Sequence, residues 1–257
     1  MRLGRIASPD GVAFVSIEGE EDALVAKEIA EHPFGNPTFT GRSWPLADVR
    51  LLAPILASKV ICIGKNYADH IAEMGGEAPA DPVIFLKPNT SIVGPGAPIV
   101  LPPTSNEVHF EGELAVVIGQ PCKDVPAAKA LSVVLGYTIA NDVSARDHQR
   151  HDGQWTRAKG HDTFCPLGPW IETSLDASDV DIKTEVNGQV KQDSSTAFLL
   201  HDIPKIIEWI SAVMTLLPGD VILTGTPAGV GPIVDGDSVS VTVSGIGTLT
   251  NPVTAKK

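Results

Sequence analysis

Two glutamates separated by one glycine stand inside the apolar run Val108-His109-Phe110-Glu111-Gly112-Glu113-Leu114-Ala115-Val116-Val117-Ile118. The run has β-strand character, and period-two geometry would point Glu111 and Glu113 to one face. Held about 7 Å apart along a strand, two like charges in a Val-rich setting repel each other, and a divalent cation between them is the simplest relief. A third acid, Asp142, ends the apolar segment that starts at Gly136, just before the helix-like stretch 143–149. Glu, Glu and Asp without cysteine make an all-oxygen set, suited to Mg²⁺ or Mn²⁺, with Ca²⁺ as a substitute, rather than to Zn²⁺. By spacing alone the same residues also fit two simpler roles: glutamates on a solvated strand face, and Asp142 as the N-cap of the following helix.

Four other places carry groups able to do chemistry. His70 and Glu73 are three apart, so on a helical turn the carboxylate would orient the imidazole and raise its basicity. Glycines at 64, 75 and 76 would let such a turn act as a lid; an exposed helix pair is the alternative. Lys159, between Trp155 and Phe164, would stabilise enolate charge beside a metal-bound anion, or else lie along the surface. Arg146 and Gln149 fit a substrate carboxylate or solvent. The loop Thr224-Gly225-Thr226-Pro227-Ala228-Gly229-Val230-Gly231-Pro232 offers N–H groups and the Thr226 hydroxyl to an anion, or is a tight structural turn; it lacks the Gly-Lys-Ser/Thr ending of a P-loop.

The elements that must position these groups are mostly strands. Pro9-Asp10-Gly11 predicts a hairpin over the first twenty residues, Glu21 to Ala30 a short helix, and Pro45 to Pro54 a connector. A small α+β N-terminal appendage, 1–55, would thus precede a catalytic domain, 56–257. Short buried strands follow at Lys59–Ile63 and Pro82–Leu86. Asn187-Gly188 predicts a hairpin, and late strands fall at Val221–Leu223 and Ser238–Val243, the last turned by Gly245-Ile246-Gly247. One helix stands out, Ile203 to Leu217, with an apolar stripe at Ile203, Ile206, Ile207, Ile210, Val213, Met214 and Leu217, an Asp202 cap and a Pro218-Gly219 stop.

At 257 residues and 43% hydrophobic, the chain can bury a sizeable core. A net charge of −12 without any Lys/Arg cluster argues against a nucleic-acid or anionic-membrane surface, leaving a small molecule as partner. Cys62, Cys122 and Cys165 fit neither a metal pattern nor a disulfide framework. With no signal-like start and no run of 18 apolar residues, the expectation is a cytoplasmic, soluble protein.

Taken together, Asn66-Tyr67-Ala68-Asp69-His70, Phe85-Leu86-Lys87-Pro88, Glu111 to Gly119, Asn141 to Asp147 and Leu223 to Gly231 resemble, in order and spacing, the fumarylacetoacetate hydrolase family over about residues 58–253. The resemblance implies an α+β, predominantly β fold, a mixed β-roll wrapped around a central helix, for which Ile203–Leu217 is the candidate, and a homodimer. Apolar, turn-rich segments such as Ile92 to Pro103 could pack against the second copy. It also implies Glu111, Glu113 and Asp142 as Mg²⁺ or Mn²⁺ ligands, and His70 and Glu73 as a base dyad on a lid. Lys159 and Thr226 would stabilise the anion, with Lys65, Asn66, Arg146 and Gln149 as further substrate contacts. Lys65 stands where several relatives have arginine. No equivalent of the upstream metal-binding aspartate of the larger liver-type enzymes is evident, so the chain resembles the smaller, three-carboxylate branch.

A 2-oxo or β-diketo acid is the substrate class implied. The expected reaction is hydrolysis of a C–C bond in an acylpyruvate. Isomerisation of 2-hydroxyhepta-2,4-diene-1,7-dioate is the leading alternative, with decarboxylation, including that of oxaloacetate, as another. All pass through an enolate, so the carboxylates do not distinguish them. A non-enzymatic structural Ca²⁺ protein is the competing class, against which His70, Glu73 and Lys159 count.

Overall fold

The computed structural model describes residues 1–20 and 23–256. Pro9-Asp10 joins β1 (Arg2–Ser8) to β2 (Gly11–Glu18) as the turn chemistry predicts, with Ser8 opposite Gly11. Gly11 takes φ +118°, where a side chain would be strained. The helix expected over Glu21 to Ala30 is instead a strand from Val25 on, β3 (Val25–Ile29), paired to β2 on one side and to β4 (Phe39–Pro45) on the other. Glu21 and Asp22 lie outside the described residues. The open edge of β2 decides the matter, because charges that helical spacing would put on one face are spent across strands. Lys27 reaches Glu18 at 2.5 Å, and Arg42 Nε donates to Glu28 at 2.6 Å. Pairing outweighs a weak local propensity. The 45–54 connector holds a further short strand, β5 (Arg50–Leu52), against β1.

The chain continues with β6 (Val60–Gly64), α1 (Ala68–Met74), β7 (Val83–Lys87), β8 (Ile92–Val93) and β9 (Ile99–Leu101). Next come β10 (Val108–Phe110), β11 (Gly112–Ile118), β12 (Val134–Asn141), β13 (Ser144–Ala145), α2 (Arg146–Asp152), α3 (Thr156–Lys159) and β14 (Cys165–Glu172). It ends with β15 (Asp181–Val186), β16 (Gln189–Ser195), α4 (Ile203–Val213), β17 (Val221–Leu223), β18 (Gly231–Pro232), β19 (Ser238–Val243) and β20 (Gly247–Ala255). The main sheet runs β4-β3-β2-β1-β14-β12-β11-β17-β6-β7, and a second sheet runs β16-β15-β19-β20-β9. A small third sheet joins β13, β10 and β18. Arg2 and Leu3 pair with Glu172 and Ile171, so the N-terminal strands extend the main sheet.

The mixed β-roll around a helix is what the chain forms. Ile203, Ile206, Ile207 and Ile210 of α4 share one core with Ile61, Leu114, Val116 and Ile222 of the main sheet and with Ile182, Val241 and Val243 of the second. The alternate residues Ala115 and Val117 face a second core with Leu3, Leu167 and Leu223, so β11 is covered on both faces. That accounts for its unbroken apolar run. Asp202 caps α4, accepting the Lys205 N–H at 2.9 Å. The helix stops four residues short of Leu217: Met214 is extended (φ −141°, ψ 151°), and Leu216 exchanges both backbone bonds with Cys122. The 143–149 stretch differs too, since Ser144–Ala145 is a strand and the helix begins only at Arg146. Among the described residues no helix is long and apolar enough to cross a membrane.

Ile207 is fully buried between the sheets. Ile207→Ala should lower unfolding free energy by about 2–5 kcal/mol, measured by urea denaturation, with an unchanged far-ultraviolet spectrum. A loss below about 1 kcal/mol would mean that the helix is not packed as described.

Candidate active site

The long strand expected over 108–118 is broken at Glu111, with β10 and β11 going to different sheets. Side chains satisfy the backbone at the break: Glu111 N donates to Asn141 Oδ1 and Gly112 N to Gln192 Oε1, both at 2.9 Å. Asp142 N donates to Glu111 O at 2.8 Å, so Asp142 is tied to the break rather than capping a helix. Glu111, Glu113 and Asp142 are buried and offer carboxylate oxygens all within 4.8 Å of one another.

The repulsion between these acids is met, in large part, by the protein itself. Arg146 donates to Glu111 Oε1 at 2.6 Å; Lys159 bridges Glu111 Oε2 at 2.6 Å and Asp142 Oδ2 at 2.7 Å; Lys87 reaches Asp142 Oδ1 at 2.6 Å. Three buried cations thus answer two of the three buried carboxylates, Glu111 and Asp142, so the protein relieves part of the repulsion that a bound ion would relieve. Burial pushes the Glu111 carboxyl up, but Lys159 and Arg146 outweigh it and hold the group well below the usual range. Burial lowers Lys159, and Asp142 and Glu111 more than restore it, so it stays protonated. Glu113 is the exception. Burial, then Asp142 and Glu111, raise it well above the ordinary carboxylate value, and among the described residues its hydrogen-bond donor is the Gly225 N–H at 2.6 Å.

Opposite this floor lies α1. His70 Nδ1 is 3.4 Å from Glu73 Oε2, and Gly229 N is 3.1 Å from both Glu73 oxygens, so the dyad is held against the 224–231 loop. His70, Glu111, Glu113, Asp142, Lys159 and Thr226 all line one cavity of about 220 Å³, with Lys65, Arg146, Gln149 and Arg150 also on its wall. Of the glycines expected to hinge a lid, Gly64 is taken up in packing, since a Cβ there would meet Trp155 at 2.5 Å. Gly75, φ +69°, ends α1.

Two expected substrate contacts are placed differently. Asn66 is fully buried, outside that wall, and its amide is spent on His201 and on Thr224 O. It clamps the start of α1 to the 199–201 segment. Thr226 reaches the cavity, but its hydroxyl donates to Gly112 O at 2.9 Å and accepts from Gln192 Nε2 at 2.7 Å, so it has no proton left for an anion. Arg146 bonds Gln149 through NH1, at 2.9 Å, while among the described residues its buried Nε has no partner.

Residues 59–254 match the family model described as fumarylacetoacetate (FAA) hydrolase C-terminal. The chain belongs to this family. Residues 1–54 match a model described as Rv2993c-like, N-terminal. A solved structure described as 5-carboxymethyl-2-hydroxymuconate delta-isomerase from Mycobacterium smegmatis is 75% identical, covers 100% of both chains and has a TM-score of 0.95. Another, described as 2-hydroxyhepta-2,4-diene-1,7-dioate isomerase from Mycobacterium marinum, is 71% identical over 100% of this chain and 99% of that one, with a TM-score of 0.94. The rat (Rattus norvegicus) protein named oxaloacetate tautomerase Fahd2a, mitochondrial, is 44% identical over 81% of this chain and 71% of its own.

In this site of a fumarylacetoacetate hydrolase family chain the donor set fits a hard divalent ion. The fit rests on Glu113, a carboxylate buried to 2% exposure beside two other acids and, among the described residues, in no salt bridge. Reading the sequence for chemistry missed Lys87 and Gln192. Lys87 had a signal, a lysine closing an apolar strand; Gln192 had none, lying in a polar hairpin 80 residues from the backbone it binds.

The two glutamates should respond differently to loss of charge. Glu113→Gln should keep or raise stability while lowering Mn²⁺ affinity, read by calorimetric titration, by more than the roughly 10–100-fold of an outer partner. Glu111→Gln strands Arg146 and should destabilise by about 3–5 kcal/mol. Equal stability losses in both variants would contradict the charge assignment.

Proposed function

We propose that this chain is a divalent-metal-dependent enzyme that moves a proton on the carbon chain of a small 2-oxo acid, as an isomerase or tautomerase. The observation that carries the reading is the His70–Glu73 pair on the same cavity as the three carboxylates. Glu111, Glu113 and Asp142 would hold Mg²⁺ or Mn²⁺; bound there, the ion would supply Lewis-acid polarisation of a keto oxygen. Glu73 accepts from Nδ1 and so fixes the tautomer in which Nε2 carries the lone pair, which makes His70 the base. Returned from the same nitrogen to another carbon of the substrate, the proton completes an isomerisation.

The rest of the wall suits an anion. Lys65 brings positive charge to a cavity in a chain of net charge −12, matching a carboxylate distant from the reacting carbon, while Arg150 on the same wall is already paired with Glu107. Arg146 Nε is a donor left for substrate, and Lys159 stabilises enolate charge from the floor. Phe85 and Trp155, edge to face at 5.1 Å, close the apolar side beside the Lys159 ammonium. The isomerase and tautomerase names of the similar proteins support proton transfer. Hydrolysis of an acylpyruvate is the second reading, favoured by the family model's hydrolase name and by a base equally able to take a proton from water. In either case we place the protein in small-molecule metabolism as a homodimer.

Purified protein with Mn²⁺ should be offered 2-hydroxyhepta-2,4-diene-1,7-dioate, enol-oxaloacetate and acetylpyruvate. The expected result is loss of dienol or enol absorbance without release of pyruvate, lowered on the order of 10²-fold in His70→Ala and less in Glu73→Gln, with Mn²⁺ affinity intact. Pyruvate release from acetylpyruvate as the fastest reaction would move the assignment to the hydrolase. Full activity in His70→Ala would remove the base role.

A further inference from the structure

Every polar atom of Gln192 is engaged, and it engages both halves of the site. The side chain is 1% exposed on β16. Its Oε1 accepts the N–H of Gly112, the residue between Glu111 and Glu113, at 2.9 Å. Its Nε2 donates to Thr226 Oγ1 at 2.7 Å and to Pro227 O at 2.8 Å, using both amide protons. Thr226 in turn donates to Gly112 O at 2.9 Å, which closes a ring of bonds around one residue.

Two glycines show how tightly the parts must approach. A Cβ on Gly112 would lie 2.1 Å from Thr184 Oγ1 and 3.2 Å from Gln192 Oε1, so only glycine between the two glutamates lets the second sheet come this near. A Cβ on Gly229 would lie 2.0 Å from Lys191 O, so the 224–231 loop rests directly on β16 beside Gln192. That loop supplies the Gly225 N–H to Glu113 and the Gly229 N–H to Glu73.

We infer that Gln192 is a positioning residue, which sets the spacing of the Glu111 and Glu113 carboxylates and, through the 224–231 loop, couples the metal-binding floor to the His70–Glu73 dyad. The inference rests on the proposed metal-binding reading for its first half. It touches neither substrate nor base; it acts through Gly112, Thr226 and Pro227. An ordinary core glutamine would fill space and add stability, whereas this one bonds at once to Gly112, between the two acids, and to Thr226 and Pro227 of the loop that bonds one of them.

The test uses Gln192→Glu, which keeps an acceptor for Gly112 N but turns the donor toward Pro227 O into a repelling oxygen, and Gln192→Leu, which removes all three bonds. Gln189→Leu, at an exposed position on the same strand, is the control. Mn²⁺ affinity is read by titration calorimetry, and the amides of Gly225 and Gly229 by hydrogen exchange without metal. In folded Gln192→Glu the expected result is about a 10–100-fold loss of Mn²⁺ affinity and faster exchange at both glycines, with Gln189→Leu like wild type. A lower melting temperature with unchanged affinity and exchange would reduce Gln192 to a structural residue and overturn the inference. If Gln192→Leu does not fold, Gln192→Glu carries the decision. If wild type binds no Mn²⁺, the metal reading fails by itself, and exchange at Gly225 and Gly229 still decides the coupling.

Discussion

Burying six charges at the end of one strand is the constraint on which the rest of the molecule depends. Taking a carboxylate or an ammonium out of water costs several kcal/mol each, and the cost is tolerable only when every group meets an opposite charge or a donor at bonding distance. Glu111 and Glu113 come from β11 and its edge, Asp142 from the end of β12, and the cations from β7, α2 and α3. Each of these contacts needs two separate elements to be docked, and the full set needs all five. Helices of seven and four residues are too short to persist alone, so α2 and α3 owe their existence to the packing that the ion pairs help to fix.

A rigid frame makes that precision attainable. β11 is flanked by β12 and β17 and covered on both faces, so neither glutamate can shift without disturbing two cores. α4 is the wedge that sets the distance between the main sheet and the second sheet, and the second sheet carries Gln192. The N-terminal strands add to the far edge of the main sheet through β1 and β14, away from α1 and the 224–231 loop.

The dyad is held differently from the floor. His70 and Glu73 sit on a helix of seven residues that ends at a positive-φ glycine, and Glu73 is fastened by a backbone N–H of a neighbouring loop. The floor is set by charge and the dyad by a few neutral or singly charged bonds, a division that suits the proposed chemistry, in which the ion-binding groups would stay fixed while the base moves protons. Asn66 and Thr226, which lie in the same motifs as the reacting groups, serve this arrangement by tying α1 and the loop in place.

Much of this was legible in the residues alone. Period-two runs, Pro-Asp-Gly and Asn-Gly turns, and the isoleucine stripe of α4 identified the hairpins, the buried strands and the helix at the centre of the roll, because those signals are local. The acids were legible as well, since charged residues inside apolar runs need a reason. What the tertiary structure decided was everything that depends on a partner distant in sequence. The edge of β2 made Val25–Ile29 a strand, Cys122 drew Leu216 out of the helix, and the glutamine at 192 found the peptide at 112. Lys87, Arg146 and Lys159 answered the acids before any metal could, and the hydroxyl of Thr226 was committed to Gly112 O. A side chain's spacing along the chain tells which face it takes, but whether its charge or proton is already spent is settled only by what folding brings beside it.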